Sequence, residues 1–176
     1  LDSGSKPSLL LVESSCSLSL IGDDLAGIVR KMELPYPFIT MDCGGLVGGF
    51  AEGYTKAAIS VVDKFSHKDL AVQTNSVNVL GLSDFYYNGT ADRKEICRLL
   101  KLAGYKINAI PGSGSSLEDL EKLGAAGLNI VCNEELGLKL AQHLEKVFGT
   151  PYVVVGMPYG IEGTQDWLER IHKALP

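Results

Sequence analysis

The sequence lacks a long hydrophobic run, a cluster of basic residues and a Cys-x-x-Cys pair. No apolar stretch approaches the roughly 20 residues that cross a bilayer, and the first apolar run is too short for a signal peptide. The formal net charge is -5, and the scattered Lys and Arg residues form no basic face of the kind that nucleic-acid binding needs. We therefore expect neither a nucleic acid nor a membrane as a partner.

The four cysteines, Cys16, Cys43, Cys97 and Cys132, lie in four separate segments. This spacing argues against a disulfide scaffold or a zinc finger, and predicts reduced thiols in a cytoplasmic protein. The three histidines form no His-Glu-x-x-His motif, and no Gly-x-Ser-x-Gly elbow is present. Any chemistry is therefore expected to belong to a bound cofactor rather than to protein side chains.

Short β-rich runs alternate with amphipathic stretches along the whole chain. This alternation predicts an α/β fold of Rossmann-like parallel sheets with flanking helices, as a partial first layer and a more complete second layer. The strands are predicted at residues 8–12, 37–41, 77–82, 105–110, 128–132 and 152–156. The helices are predicted after a cap at Asp23, at about 50–65 and 90–103, in "SSLEDLEKL", at 133–148 and around Trp167. The first of these places Ile28 and Met32 on its buried face. Ser116 and the acid three residues later fit a capping box, and Gly149 suits a C-cap.

The polar stretch "SHKDLAVQTNS" separates two series of such elements. We predict that residues 1–66 are the C-terminal part of a first α/β domain, that 67–76 are a linker, and that 77–176 form a second Rossmann-like domain. The chain opens on Leu1 behind the leader "LDSGSKP", and we expect it to be part of a longer protein.

Three of the cysteines fall at or just after predicted strand ends, where parallel α/β sheets bind ligands. Cys16, Cys43 and Cys132 could each be a packed core residue, a nucleophile or a metal ligand, and position alone does not decide. Cys97 lies within a predicted helix beside Ile96, which favours a buried structural thiol.

Glycine-rich turns offer a second set of candidates. "DCGGLVGGF" invites a dinucleotide-binding interpretation, but the first glycine of that fingerprint would fall on Cys43, and tight loop packing explains the glycines equally well. "PGSGSS" could bind an anion through its amides or be an ordinary strand–helix connection. "SDFYYNGTADR" could line a cavity or be a surface loop.

One longer pattern joins these features. "SSCSLSLIGDDLAGIVRKME" closely resembles the Ser-Thr-Cys and Ile-Gly-Asp-Asp segment of the nitrogenase component 1 family. "MDCGGLVGGFAEGYTKA" is similar to that family's glycine-rich turn and following helix, and "LEKVFGTPYVVVGMPYGIEGTQDWLERI" to its C-terminal pattern. The family includes molybdenum-iron protein subunits, scaffolds for cofactor assembly and related tetrapyrrole reductases.

The resemblance implies roles for residues in the first half of the chain. Cys16 corresponds to a ligand of an iron-sulfur cluster at a subunit interface. Cys43, with Gly44 and Gly45, corresponds to the turn that packs near that cluster. The Gly-Asp-Asp that follows Cys16 would hold the next helix at a fixed distance from the cluster.

In the second half of the chain, the resemblance points to Cys132 and Asn133. Cys132 lies beside the position at which nitrogenases anchor a further metal cofactor, and Asn133 would occupy that position itself. Because of that offset, the resemblance does not extend to nitrogen fixation itself.

The function implied is that of a nitrogenase component 1-like oxidoreductase subunit, which binds an iron-sulfur cluster and passes low-potential electrons to a cofactor or substrate. Its implied partners are a homologous subunit, in a homo- or heterodimer, and a nucleotide-dependent iron-protein reductase. Because such a cluster commonly takes four thiolates, this segment alone is expected to be free of metal and inactive. The alternatives are a non-catalytic scaffold for metal-cofactor assembly and a nucleotide-binding Rossmann module.

Overall fold

The computed structural model describes residues 6–42, 44–45 and 48–175. Its contacts divide the chain into two units, Leu1–Ser60 and Val61–Pro176. All pairs of adjacent strands in the described residues are parallel, and helices connect them. The predicted fold class, α/β with parallel sheets and flanking helices, is confirmed.

Unit 1 is built on a two-stranded parallel sheet. The register pairs Leu10 with Phe38 and Glu13 with Met41, and the Ser14 amide donates to the Met41 carbonyl at 3.0 Å. The residues that follow the two strands therefore emerge side by side. The elements of this part of the chain are β1 (Leu10–Glu13), α1 (Cys16–Ile21), α2 (Leu25–Lys31), β2 (Phe38–Met41) and α3 (Phe50–Phe65), whose last turn falls in unit 2.

Unit 2 contains a four-stranded parallel sheet in the order β4-β3-β5-β6. Its strands are β3 (Gln73–Leu80), β4 (Lys106–Ala109), β5 (Ala126–Val131) and β6 (Tyr152–Val154). Its helices are α4 (Gly89–Leu102), α5 (Leu117–Glu121), α6 (Glu134–Phe148) and α7 (Gly160–Ala174), with a 3-10 turn at Leu123–Ala125.

Hydrophobic periodicity explains the elements of unit 2. Every residue of β5 is buried, as expected for a central parallel strand that is covered on both faces. Leu136, Leu140 and Leu144 recur at helical spacing in α6, and each is fully buried. Gly149 ends this helix in the left-handed region, at a φ of 73°, as the sequence predicted.

A buried asparagine network ties the centre of this sheet to its surroundings. The Asn78 amide donates to Asn129 Oδ1 at 2.8 Å and to the Leu123 carbonyl at 3.0 Å. The Asn129 amide donates to the Thr150 carbonyl, and Asn108 donates to Asn78 Oδ1 at 2.8 Å. The two central carboxamides are inaccessible to solvent, so these bonds replace the water that they lose on folding.

The structure differs from the sequence-based expectations near the start of each sheet. Residues 73–76, which the sequence assigned to a linker, belong to β3, although the division into 1–66, 67–76 and 77–176 stays a prediction. Helix α1 was not predicted at all, and α2 is capped by Asp24 rather than Asp23.

Among the described residues, no helix combines the length and the apolar character that crossing a bilayer requires.

Candidate functional site

Cys16 lies at the first residue of α1, directly after the turn that follows β1. Ser15 caps the helix, since its hydroxyl accepts from the Leu18 amide at 3.4 Å. The Cys16 side chain is exposed and forms no disulfide, and its Sγ accepts a hydrogen bond from the Gly45 amide at 3.1 Å. The thiol is thus both accessible and oriented.

Two glycines allow the second loop of unit 1 to approach this thiol. Gly44 is buried, and a Cβ at this position would lie 2.9 Å from Ser19 Oγ and 3.4 Å from Cys16 Cα. A Cβ at Gly45 would lie 3.6 Å from Cys16 Sγ, which is an ordinary contact. A side chain at position 44 would therefore displace the Ser19 hydroxyl, while position 45 contributes through its backbone amide. Cys43 lies outside the described residues.

Asp42 follows β2 and joins this group through its side chain. Its Oδ1 accepts from Ser14 Oγ at 2.6 Å and from Ser19 Oγ at 2.5 Å. The hydrogen bonds from Ser14, then Ser19, hold the pKa of the Asp42 carboxyl below its usual range, with smaller contributions from the Gly44 backbone amide and then Lys56. The carboxylate is therefore ionised at neutral pH, and it links the end of β1, the end of β2 and the middle of α1.

The donor set fits an iron-sulfur cluster as one contributor to a shared shell. Thiolates are the ligands that these clusters prefer, and an exposed Cys16 with a backbone N–H directed at its sulfur matches that chemistry. Among residues 6–42, 44–45 and 48–175, no group of three or more His, Cys, Asp or Glu side chains is arranged to hold a metal ion. Cys16 could therefore hold a cluster only together with ligands from elsewhere.

Cys132 and Asn133 lie in unit 2, at the carboxyl end of β5. Cys132 is 3% exposed within the core cluster, and burial raises the pKa of its thiol to about 12, with a smaller effect from Cys97. Asn133 is half-buried and caps α6, because its Oδ1 accepts from the Leu136 amide at 3.3 Å. These two residues are adjacent in the chain, but Cys132 packs in the core and Asn133 caps a helix.

The backbone around Asn133 marks the point at which strand order reverses. The chain leaves β3 for β4 on one side and returns to β5 on the other, which is where α/β sheets commonly bind ligands. Gly81 follows β3 with a φ of +87°, and a Cβ there would lie 2.5 Å from the Asn133 carbonyl oxygen. The two strand ends are thus in direct backbone contact.

The glycine-rich segment before α3 carries a carboxylate of its own. The Gly49 amide donates to Glu52 Oε2 at 3.2 Å, so this carboxylate caps the helix. Phosphate groups of nucleotides bind at the same place on other helices, because free amides and the helix dipole favour an anion there. Nucleotide binding by this loop stays a prediction. Glu52 disfavours it, because its carboxylate repels a phosphate group and already accepts from the Gly49 amide.

The two remaining loops follow β3 and β4. The Ser113 hydroxyl, in "PGSGSS", donates to Asp84 Oδ1 at 2.7 Å, and Arg93 Nε lies 3.5 Å from the same oxygen. These contacts tie the two loops to each other. Phe85 and Tyr87 are 88% and 94% exposed, as expected for the surface-loop interpretation.

Sequence reasoning identified Cys16, Gly44 and Gly45, but it missed Ser14, Ser19 and Asp42. Asp42 and Ser19 are 23 residues apart in the chain. Their contact depends on the parallel pairing of β1 with β2, which places both loops at one edge of the sheet. The only local signal was the run of serines around Cys16, which is typical of helix caps and turns.

Comparison with known proteins gives a family match over the whole chain. The profile of the family described as nitrogenase component 1 type oxidoreductase matches residues 1–176.

Two similar relatives are light-independent protochlorophyllide reductase subunits B. The one from Chloroherpeton thalassium is 31% identical over 174 residues, which cover 97% of this chain and 32% of the relative. The one from Huperzia lucidula is 31% identical over an alignment of 184 residues, gaps included, which covers 99% of this chain and 36% of the relative. The chain thus spans about a third of the length of these curated relatives.

A solved structure agrees at the level of the fold. The chain described as "Nitrogenase Cp1 at pH 6.5" superposes with a TM-score of 0.78 at 21% identity, covering 99% of this chain and 43% of that one.

Proposed function

Since the chain belongs to the nitrogenase component 1 type oxidoreductases, we propose that it is part of a subunit in which Cys16 binds an iron-sulfur cluster. The subunit passes low-potential electrons through that cluster to a bound cofactor or substrate. The observation that carries the proposal is the exposed Cys16 thiol at the start of α1, with the Gly45 amide directed at its sulfur.

The residues around Cys16 have separable tasks in this proposal. Cys16 supplies one thiolate, and the Gly45 N–H hydrogen bond stabilises negative charge on that sulfur. Gly44 lets the loop reach the helix because it has no side chain. When bound, the cluster supplies one-electron transfer, with a potential that depends on such hydrogen bonds and on solvent exposure.

Exposed apolar side chains on α1, on α2 and at the Met32 cap of α2 support a partner near Cys16. Leu20 and Ile21 are 73% and 71% exposed, and Ile28 and Met32 are 52% and 61% exposed. Such residues mark interaction surfaces when they occur together, and a partner here would cover α1 and shield the cluster from water. We propose a homologous subunit that completes the ligand shell, with a nucleotide-dependent iron-protein reductase as electron donor, in the cytoplasm.

The test is the iron and acid-labile sulfide content of the full-length protein, purified without oxygen. Cys16→Ser should lose most of both, because serine removes the thiolate while it keeps the shape of the side chain. Cys97→Ser is the matched control: this thiol packs against the core on α4, and its replacement should leave the iron content unchanged. Equal iron in the parent and Cys16→Ser, or no iron in either, would contradict the proposal.

A specific observation favours a second candidate, a scaffold on which a metal cofactor is assembled or carried. Cys132 is packed in the core at the end of β5, so its thiol is poorly placed to anchor a permanent catalytic metal. Asn133, a weaker ligand, would bind a cofactor only by giving up the cap of α6. Reductive turnover of any substrate with an iron-protein partner and ATP would exclude the scaffold. Cofactor that transfers to another protein without turnover would support it.

A further inference from the structure

Among the described residues, helix α1 has little hydrophobic packing to hold it, and Leu18 is its one half-buried apolar side chain. It is six residues long and contains no buried residue, and two of its apolar side chains, Leu20 and Ile21, point mostly into solvent. A helix this short is not stable on its own in water, where roughly 12 to 15 residues are needed for even marginal stability. The position of Cys16 therefore depends on the polar contacts that α1 makes with the rest of unit 1.

Those contacts come mainly from the segment that follows β2, through its described residues Asp42, Gly44 and Gly45, with a further contact from Ser14 at the end of β1. Asp42 Oδ1 accepts from Ser19 Oγ in the middle of α1 and from Ser14 Oγ at the end of β1. Three residues later, the Gly45 amide donates to Cys16 Sγ at the start of α1. The segment thus holds α1 at two points, and Gly44, between them, leaves room for the helix.

We propose that Asp42 is a positioning residue for Cys16: its carboxylate holds Ser14 and Ser19 so that α1 presents the Cys16 sulfur to the Gly45 amide. Within the described residues, Leu18 is the one apolar side chain of α1 that is even half-buried. Loss of the bond to Ser19 therefore frees the helix to shift against the loop, and the N–H···S bond is lost with it. The role of the sulfur as a metal ligand rests on the function proposed above. The positioning itself is a property of the metal-free protein.

The experiment compares Asp42→Leu with Asp42→Asn in the full-length, metal-free protein. Leucine removes the acceptor, whereas asparagine keeps an Oδ1 that can accept from both serines. Hydrogen exchange of the Gly45 amide, resolved by fragmentation mass spectrometry, is the readout. We expect Asp42→Leu to exchange about fivefold to tenfold faster, as fits the loss of one net hydrogen bond, and Asp42→Asn to stay within about twofold of the parent.

Two further variants keep the test decisive. Ser19→Ala removes the hydroxyl that donates to Asp42, together with its longer contacts to Ser14 Oγ and the Ser15 carbonyl, without a change of charge. It should reproduce the effect of Asp42→Leu. Asp119→Leu is the control, because Asp119 also accepts at a helix end, from the Ser116 amide at 2.9 Å, and its loss should not affect Gly45. Unchanged Gly45 exchange in Asp42→Leu and Ser19→Ala would overturn the proposal. An Asp42→Asn variant that behaves like Asp42→Leu would assign the effect to charge, and would overturn it too.

A second readout applies when the full-length protein is loaded with iron and sulfide. Loss of the N–H···S bond should shift the midpoint potential to more negative values in Asp42→Leu, with recovery in Asp42→Asn, because hydrogen bonds to sulfur favour the reduced cluster. An unchanged potential would contradict the positioning role. A protein that binds no iron would overturn the proposed function, while the exchange measurement would still decide the role of Asp42.

Discussion

Units 1 and 2 are both parallel α/β structures, but different forces hold them. Among the described residues of unit 1, the buried apolar side chains are Val29, Ile39 and Met41, and both strands are four residues long. Unit 2 has a continuous core around fully buried strands. Unit 1 instead holds its candidate site by hydrogen bonds among Ser, Asp, Gly and Cys residues. A site of this kind can be precise, but it depends on individual polar groups.

The two cysteines proposed for metal chemistry illustrate the same contrast. Cys16 is exposed on a helix that contains no fully buried residue, whereas Cys132 is buried in the core of unit 2. A thiol that is to bind metal has to be accessible and able to lose its proton, and burial works against both. The less hydrophobic unit is therefore the better setting for a ligand.

The largest expected effect comes from matched leucine truncations. Leu128→Ala, at a fully buried position of β5, should lower the free energy of unfolding by about 2–5 kcal/mol, because it leaves a cavity in the core. Leu20→Ala, at a 73% exposed position of α1, should change it by less than about 0.5 kcal/mol. Urea denaturation followed by Trp167 fluorescence and far-UV circular dichroism measures both. Equal losses would contradict the contrast between the units.

The second effect concerns the buried polar network of unit 2. Asn78→Ala should cost about 2–3 kcal/mol, because it leaves the Asn129 carboxamide buried with an unpaired oxygen. Asn108→Ala is the control: it removes the donor to Asn78 Oδ1, but Asn108 is only half-buried, so water can enter the space that it leaves and donate to that oxygen, and the loss should be smaller. The same denaturation measurement applies, and a larger loss in Asn108→Ala would show that the central pair is not the critical contact.

How much the sequence revealed differs between the units in the same way. In unit 2, hydrophobic periodicity predicted each strand to within about four residues, and capping signals predicted Gly149 and the capping box at Ser116. In unit 1, the pattern placed Ile28 and Met32 on a buried face, yet both are more than half exposed in the structure. Periodicity detects burial, and it cannot detect a helix such as α1 that buries nothing.

The candidate site was predictable only where a single residue type carries the signal. Cys16 and the glycines stood out because thiols and glycines at strand ends have few roles. Asp42 did not, since an isolated aspartate after a strand is common, and its partners Ser14 and Ser19 lie far from it in the chain. Their contact depends on the register of β1 and β2, which cannot be read from a single sequence.

The third prediction uses pH to test the burial of Cys132. Its pKa is raised by burial to about 12, so the folded protein keeps this proton while the unfolded chain releases it above a pKa of 9.0. The stability that this group contributes is fully present below pH 9.0, and it is lost as pH rises towards 12, by up to about 1.4 kcal/mol per pH unit. The difference in unfolding free energy between the parent and Cys132→Ala should narrow over that range.

The control for that experiment is Leu128→Ala, which removes a buried side chain that has no ionisable group, so its difference from the parent should not vary in this way. Iodoacetamide provides an independent check, because it should label Cys16 in the native protein and Cys132 only after unfolding. Rapid native labelling of Cys132 would place that thiol in contact with solvent and would restore it as a candidate ligand.

The smallest expected effect compares two helix caps, Ser116 in unit 2 and Ser15 in unit 1. Ser116→Ala should lower the free energy of unfolding by about 1 kcal/mol, because its hydroxyl and the Asp119 carboxylate satisfy each other's backbone amides. Ser15→Ala should leave the unfolding transition nearly unchanged, since α1 buries no residue and its loss exposes little apolar surface. Its effect should instead be local, as faster hydrogen exchange at the Ser19 and Gly22 amides, which bond to carbonyls within this first helix. A large loss of overall stability in Ser15→Ala would mean that α1 supports unit 1 rather than being supported by it.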